Sequence, residues 1–416
     1  MKRYSALTVL AEGLSGQKGW QPAFRTPDPR AGYDIVIIGG GGHGLSAAYH
    51  LAEKHGLSRV AVLEKGWIGG GNTGRNTTVV RADYYHPESA RMYDLSVRMY
   101  EGLSRELNYN IMYSGRGMLE LIHNEHQMEL MARMVNAMRL NGIGVELIGR
   151  DEVLAMEPLL ERGENVRWPI HGAMYQPKAG VARHDAVAWG YARAADALGV
   201  DIIQECEVTG LVVSGGRIRG VQTTRGIIGA ERVGMAVAGH SSVLAAMAGF
   251  DLPIQSYTLQ AMVSEPLKPC LRTVVASLFI GVYVSQSDKG ELVMGGGLDR
   301  CPSYAQRGNL PMTRSVLEGL TALFPSFSTL KLMRQWGGIV DVSPDSSPII
   351  GPTPLDGLFI NCGWGTGGFK AIPVGGLLFA HTLATGGHSE MSAPFDLGRF
   401  SSHRLIDEAA GAGIAH

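Results

Sequence analysis

Residues 33–65 read YDIVIIGGGGHGLSAAYHLAEKHGLSRVAVLEK, and this stretch decides the fold. Tyr33-Asp-Ile-Val-Ile-Ile38 is a short apolar run rich in β-branched residues, the mark of a buried strand. Gly39-Gly-Gly-Gly-His-Gly44 follows, then apolar residues at helical spacing from Leu45 to His55, then a second buried strand, Val60–Leu63, ending at Glu64. Within the turn, Gly39-x-Gly41-x-x-Gly44 has the spacing of a dinucleotide-binding loop. The first glycine makes the tight turn, the second lets backbone approach a pyrophosphate, and the third packs helix against strand. Free N–H groups and the positive end of the helix dipole then face the phosphates. Glu64 lies 20 residues beyond Gly44, where an acid accepts hydrogen bonds from ribose hydroxyls. The reading is a strand–turn–helix–strand unit that holds a dinucleotide with a free 2′-hydroxyl.

The motif alone does not separate FAD from NAD. Two further glycine-rich stretches favour FAD. Gly69-Gly-Gly-Asn-Thr-Gly-Arg-Asn-Thr-Thr78 supplies backbone N–H groups and short hydroxyls just after the second strand, suited to lining a pyrophosphate and a flavin. Gly363-Trp-Gly-Thr-Gly-Gly-Phe-Lys370 follows a strand and precedes a helix, so its N–H groups are suited to the electron-rich edge of a flavin. The candidate FAD-contacting residues are therefore Gly39, Gly41, Gly42, His43, Gly44, Glu64, Lys65, Asn72, Thr73, Arg75, Asn76, Thr77, Gly365, Gly367, Gly368 and Lys370. Val208, at the start of a strand, joins them.

The chain of 416 residues is long enough for a large core and carries a formal charge of −1. A near-neutral chain without a basic stripe argues against nucleic acid as a partner. Its 57 glycines fall in clusters rather than a repeat. The four cysteines, Cys206, Cys270, Cys301 and Cys362, form no paired motif, which supports neither a metal site nor a disulfide framework and fits a reducing cytoplasm. Residues 1–32 read as an extended arm rather than a signal peptide, and no stretch approaches the length of a membrane span.

Beyond the opening unit, helices are expected over residues 87–107, 124–142, 185–198 and 313–324, and strands over 201–206, 208–213, 221–224, 233–238, 347–351 and 358–362. Alternating runs between Leu252 and Asp299 predict an antiparallel sheet, and Ile372–Leu383 a buried helix. The fold class is α/β and α+β. A discontinuous Rossmann-type FAD domain (33–80, 185–250 and 345–385) interleaves with a second domain on a mostly antiparallel sheet (81–184 and 251–344), and a tail covers 386–416.

These residues resemble the glycine-oxidase and sarcosine-oxidase branch of FAD-dependent amine oxidoreductases, and most of all the β-type subunits of heterotetrameric sarcosine oxidases. The carrying stretches include VAVLEKGWIGGGNTGRNTTVVR, ARHDAVAWGYAR, GELVMGGG, WGGIVDVSPDSSPIIG and NCGWGTGGFKAIP. The resemblance implies oxidation of sarcosine (N-methylglycine) to glycine at noncovalent FAD. Electrons then pass to a covalent FMN and on to O2, giving peroxide. The methyl carbon leaves as formaldehyde or, with tetrahydrofolate handled by an α subunit, as methylene-tetrahydrofolate. It also implies partner α, γ and δ subunits, with NAD on α. The FMN-bearing histidine maps to His184 in Arg183-His184-Asp185-Ala-Val-Ala-Trp189; the nearer rival, His171, lacks that setting. Arg81, closing GRNTTVVR, and Lys370 map to the carboxylate-binding cations, and Tyr283 is a candidate to face substrate. A cationic, dry pocket lowers the substrate amine's pKa, so no dedicated base is required. Two alternatives stay open from the residues: a related amino-acid or opine dehydrogenase that passes electrons to a carrier, and a catalytically silent flavin-binding scaffold.

Overall fold

Ile35 and Ile37 enter one hydrophobic core and Val36 and Ile38 another, so the strand Gly32–Ile38 is covered on both faces. That double covering is why it reads as an unbroken apolar run rather than an alternation. In this computed structural model, which describes residues 5–18, 24–84 and 86–407, the strand is central to a sheet in the order Ile349–Pro352, Leu358–Cys362, Gly226–Met235, Gly32–Ile38, Val60–Leu63, Asp201–Ile203. The pairs from Leu358–Cys362 to Asp201–Ile203 are all parallel. A hairpin, Val208–Ser214 with Arg217–Thr223, extends the sheet antiparallel along Gly226–Met235. Helices Gly42–His55, His184–Ala197 and Ile372–Thr385 contribute to the core on one face, as do residues of Pro87–Glu106.

The second sheet runs Leu332–Val342, Gln255–Pro266, Glu291–Pro302, Val282–Gln286, Val274–Ser277, Met118–Ile122, Gly172–Gln176, Glu146–Gly149. Every neighbouring pair is antiparallel except Val274–Ser277 with Met118–Ile122. The helix Leu310–Leu323 buries Val316, Leu320 and Leu323 in the core of this sheet. The α/β plus α+β class is thus the observed one.

Several local expectations need correction. Residues 6–14 of the expected extended arm form a helix, Ala6–Leu14, capped by the Ser5 hydroxyl accepting from Thr8 N–H. The following part of the arm, from residue 24, is held by Arg25 and Arg30, which pair with Asp196 and Asp201. The expected strand over 201–206 ends at Ile203, and the strand expected over 221–224 already begins at Arg217. Four strands of the second sheet, Met118–Ile122, Glu146–Gly149, Gly172–Gln176 and Leu332–Val342, had no period-two signal. Glycines or charges interrupt them, and pairing with strands far away in sequence makes them strands. The tail beyond residue 407 lies outside the described residues.

Candidate active site

A cavity of about 490 Å³ opens where the two sheets meet. One wall comes from the first sheet and its turns: Ile38, Gly39, Gly41, Gly42 and His43, with residues 63–67, 236–240 and Asn361. The other comes from the second: Leu259, Ala261, Tyr283 and Gly338–Asp341. Two loops close it, from Gly70–Thr77 and from Trp364–Phe369.

One end of this cavity is made largely of backbone. Gly39 has φ +112°, and the helix begins at Gly42, earlier than the apolar spacing predicts. A Cβ on Gly44 would run into the Gly39 carbonyl oxygen, so this glycine serves close packing and is not itself on the wall. The Glu64 carboxylate accepts from Gly40 N–H at 2.8 Å and from Gly66 N–H at 2.9 Å, which fixes its oxygens at the cavity edge. Thr73 Oγ1 accepts from Gly42 N–H at 2.9 Å, and Asn72 accepts from Ile339 N–H at 2.9 Å, tying the 69–78 loop to both sheets. Asn76 accepts from Thr78 N–H at 2.6 Å. Arg75 reaches the carbonyls of Gly70 and Gly71 and the Gln306 side chain. Lys65, Thr77 and Val208 also line the cavity.

His43 sits mid-cavity with its ring 4.6 Å from that of Trp364. Its Nε2 donates to the Gly368 carbonyl at 2.8 Å, and burial lowers its pKa to about 4, so it is neutral. Asp341 holds the C-terminal glycine loop by accepting from Gly363 N–H at 2.5 Å; burial pushes its carboxyl up to about 7. Gly365 and Gly368 line the cavity, whereas Gly367 is buried against the hydroxyls of Tyr84 and Tyr93. Tyr283 lines the cavity from the second sheet; burial pushes its hydroxyl up to about 12, against a hydrogen bond with Thr77. This set fits a flavin dinucleotide: a glycine cradle, a fixed acid for ribose, and a long, mostly apolar slot ending at neutral donors.

Arg81 and Lys370 are buried rather than on this wall; Lys370 follows the wall residue Phe369 and bonds the carbonyl of the wall residue Thr366. They come together on one ring: the Arg81 guanidinium is 5.6 Å and the Lys370 ammonium 5.8 Å from the centre of Tyr84. Tyr84 in turn stacks on Tyr93 at 3.6 Å. Lys370 donates to the Thr366 carbonyl at 3.3 Å, and its own carbonyl accepts from Ser96. Burial, then repulsion from Arg81, holds the Lys370 pKa far below its ordinary value. Burial also opposes the charge on Arg81, but its ion pair with Asp83 overcomes this and raises its pKa.

His184 is the first residue of its helix, outside the cavity, with 26% of its side chain exposed. Its Nδ1 accepts from Asp185 N–H at 2.6 Å, and Arg183 pairs with Asp185 and Asp288 beside it. A two-stranded ribbon, Val79–Val80 with Gly180–Val181, links the chain leading to Arg81 with the chain leading to His184. The rival His171 is exposed.

Sequence reasoning missed Asp83 and Glu120, both buried beside Arg81. A signal was present for each. Asp83 is two residues from Arg81, and Glu120 stands alone in the apolar run Met118-Leu-Glu-Leu-Ile122, where an unpaired carboxylate is costly.

Comparison with known proteins agrees with this architecture. The family model described as FAD dependent oxidoreductase matches residues 34–382. Sarcosine oxidase subunit beta of Rhodobacter capsulatus is 50% identical over 416 residues, covering 100% of both chains. That of Rhizobium meliloti is 52% identical, covering 98% of this chain and 97% of its own. The crystal structure of L-proline dehydrogenase from P. horikoshii superposes with a TM-score of 0.85 at 29% identity, covering 91% of this chain and 100% of its own. With a full-length match at half identity and a flavin cradle of the expected form, the chain belongs to the FAD-dependent oxidoreductases and, within them, to the sarcosine oxidase β-subunit family.

Proposed function

We propose that this chain oxidises sarcosine at noncovalent FAD, as the β-type subunit of a complex with α, γ and δ partners. The observation that carries the reading is the pair of buried cations, Arg81 and Lys370, both within 6 Å of the centre of the Tyr84 ring beside the cavity. FAD supplies the two-electron acceptor for the substrate's C–N unit. Arg81 offers a planar fork for the substrate carboxylate, and Lys370 a second point charge. An arriving carboxylate provides the counter-charge that burial has denied Lys370 and restores its proton. The same cations and the dry walls disfavour an ammonium on the substrate, so the amine binds in its free form without a dedicated base. Tyr283, with its proton retained, closes the site from the second sheet. Gly39, Gly41 and Gly42 cradle the pyrophosphate, Glu64 takes the ribose, and Gly365 and Gly368 border the flavin.

The finer assignment places a covalent FMN on His184 as the relay to O2. Its support is the Arg183–Trp189 motif, the partial exposure of the ring and the engagement of Nδ1 by Asp185 N–H, which leaves Nε2 as the ring nitrogen open to a linkage. NAD on the α subunit, and release of the methyl carbon as formaldehyde or methylene-tetrahydrofolate, rest on the resemblance alone. The test is sarcosine-driven bleaching of the flavin in the assembled complex. Arg81→Ala and Lys370→Ala should each raise the apparent KM strongly; unchanged values in both would remove the carboxylate role. Covalent flavin fluorescence on the acid-denatured β band should vanish in His184→Ala, and its persistence would sink the FMN assignment.

A further inference from the structure

Arg81 and Lys370 are not alone in their buried cluster. Asp83 pairs with the Arg81 guanidinium, and Glu120 comes in from the second sheet. All four are at most 6% exposed. Glu120 is held in place because its carboxyl accepts from Leu278 N–H, across the parallel pairing of its strand with Val274–Ser277. The charged groups acting on Glu120 are Asp83 and Arg81. His123, three residues further on, is turned to Ser277 and the Pro169 carbonyl. Tyr175 and Gln176 lie on the adjoining strand, where Gln176 accepts from Ala82 N–H at 3.0 Å and so steadies the Arg81 segment.

The charge balance explains the arrangement. Two cations, Asp83 and a substrate carboxylate sum to zero only if Glu120 is neutral. One more anion in a dry site would repel both carboxylates. We propose that Asp83 and Glu120 are positioning residues for the substrate-binding cations: Asp83 aims the Arg81 fork, and Glu120 is a neutral wall whose ionisation weakens carboxylate capture. This rests on the reading of Arg81 and Lys370 as the sarcosine-carboxylate site. Burial, aided by Asp83, pushes the Glu120 carboxyl up to about 8, against the Leu278 hydrogen bond and Arg81. Below that pH the wall is neutral and capture is strong; above it the wall is an anion and capture fails.

The test uses methoxyacetate, which has the carboxylate of sarcosine but no amine, so any pH dependence in the alkaline range belongs to the protein. Binding to the flavin-loaded complex is followed by perturbation of the flavin spectrum from pH 6 to 10. Wild-type affinity should fall by up to ~10-fold per pH unit above the Glu120 transition. In Glu120→Gln, affinity at pH 7 should be retained and the fall displaced upward by at least ~1 pH unit. A fall that stays in place in Glu120→Gln assigns it to Lys370 or another group and overturns the inference. Glu120→Met, of similar volume, makes the same test if the Gln variant does not fold. Calorimetry in buffers of different ionisation heat should show more proton uptake on binding near pH 8 in the wild type than in Glu120→Gln, the remainder belonging to Lys370; equal uptake in the two also overturns it. Methoxyacetate that fails to bind at any pH would instead sink the carboxylate-site reading itself.

Discussion

The nucleotide end of the cavity and the cluster behind its far end solve opposite problems. The first is mostly backbone: Gly39, Gly41 and Gly42 with the helix start, and one acid, Glu64, held by two N–H groups. The second is mostly side chain: Arg81, Asp83, Glu120 and Lys370, all buried and drawn from three separate stretches of chain. A pyrophosphate needs donors that do not move and cost nothing to dry, which peptide N–H groups at a helix start provide. A small zwitterion needs strong, directional charge, and burying that charge requires internal counter-charges. Under the proposed function, the comparison teaches that the cofactor end is governed by shape and the substrate end by charge balance.

Four experiments would break or sharpen that contrast. Gly44→Val should have the largest effect, because its side chain collides with the Gly39 carbonyl; the purified chain should carry no flavin in its visible spectrum. A fully flavinylated variant would show that shape does not govern this end. Arg81→Lys keeps the charge and loses the fork. Apparent KM for sarcosine should rise about 30-fold, since a charged hydrogen bond is worth roughly 2 kcal/mol, with little loss of thermal stability. A normal KM would mean that charge alone suffices. Glu64→Gln leaves an amide with one acceptor oxygen where the carboxylate serves two N–H groups. FAD affinity, from titration of the apoprotein, should drop about tenfold. Affinity equal to wild type would remove the ribose-acid role. The smallest effect on the cavity belongs to His184→Ala. It should lose covalent flavin from the denatured band and keep its FAD content, because the residue lies off the cavity wall. Lost FAD would show the two sites to be structurally coupled.

Legibility followed the same division. The strand Gly32–Ile38, the helix after it and Glu64 were readable because the pattern that encodes them lies within about 30 residues of chain and obeys local rules, although strand and helix also pack on distant elements. Of the residues chosen from the three glycine-rich stretches, most line the cavity; Gly44 and Gly367 serve packing behind it. The substrate and FMN roles of Arg81, Lys370 and His184 came only through family resemblance, since a lone cation or imidazole carries no local signature. The strand Met118–Ile122 escaped notice because Glu120 interrupts its apolar run, and that interruption is the proposed neutral wall beside the cations.

By itself the sequence determined the strand–turn–helix–strand unit, with its glycine turn at residues 39–44 and Glu64 after the second strand, because glycine spacing and strand–helix alternation are local constraints on the backbone. Only the tertiary structure decided that Arg81, Lys370, Asp83 and Glu120 share one buried cluster. Their charges matter only when packing from both sheets removes water, and no single stretch of chain contains that packing.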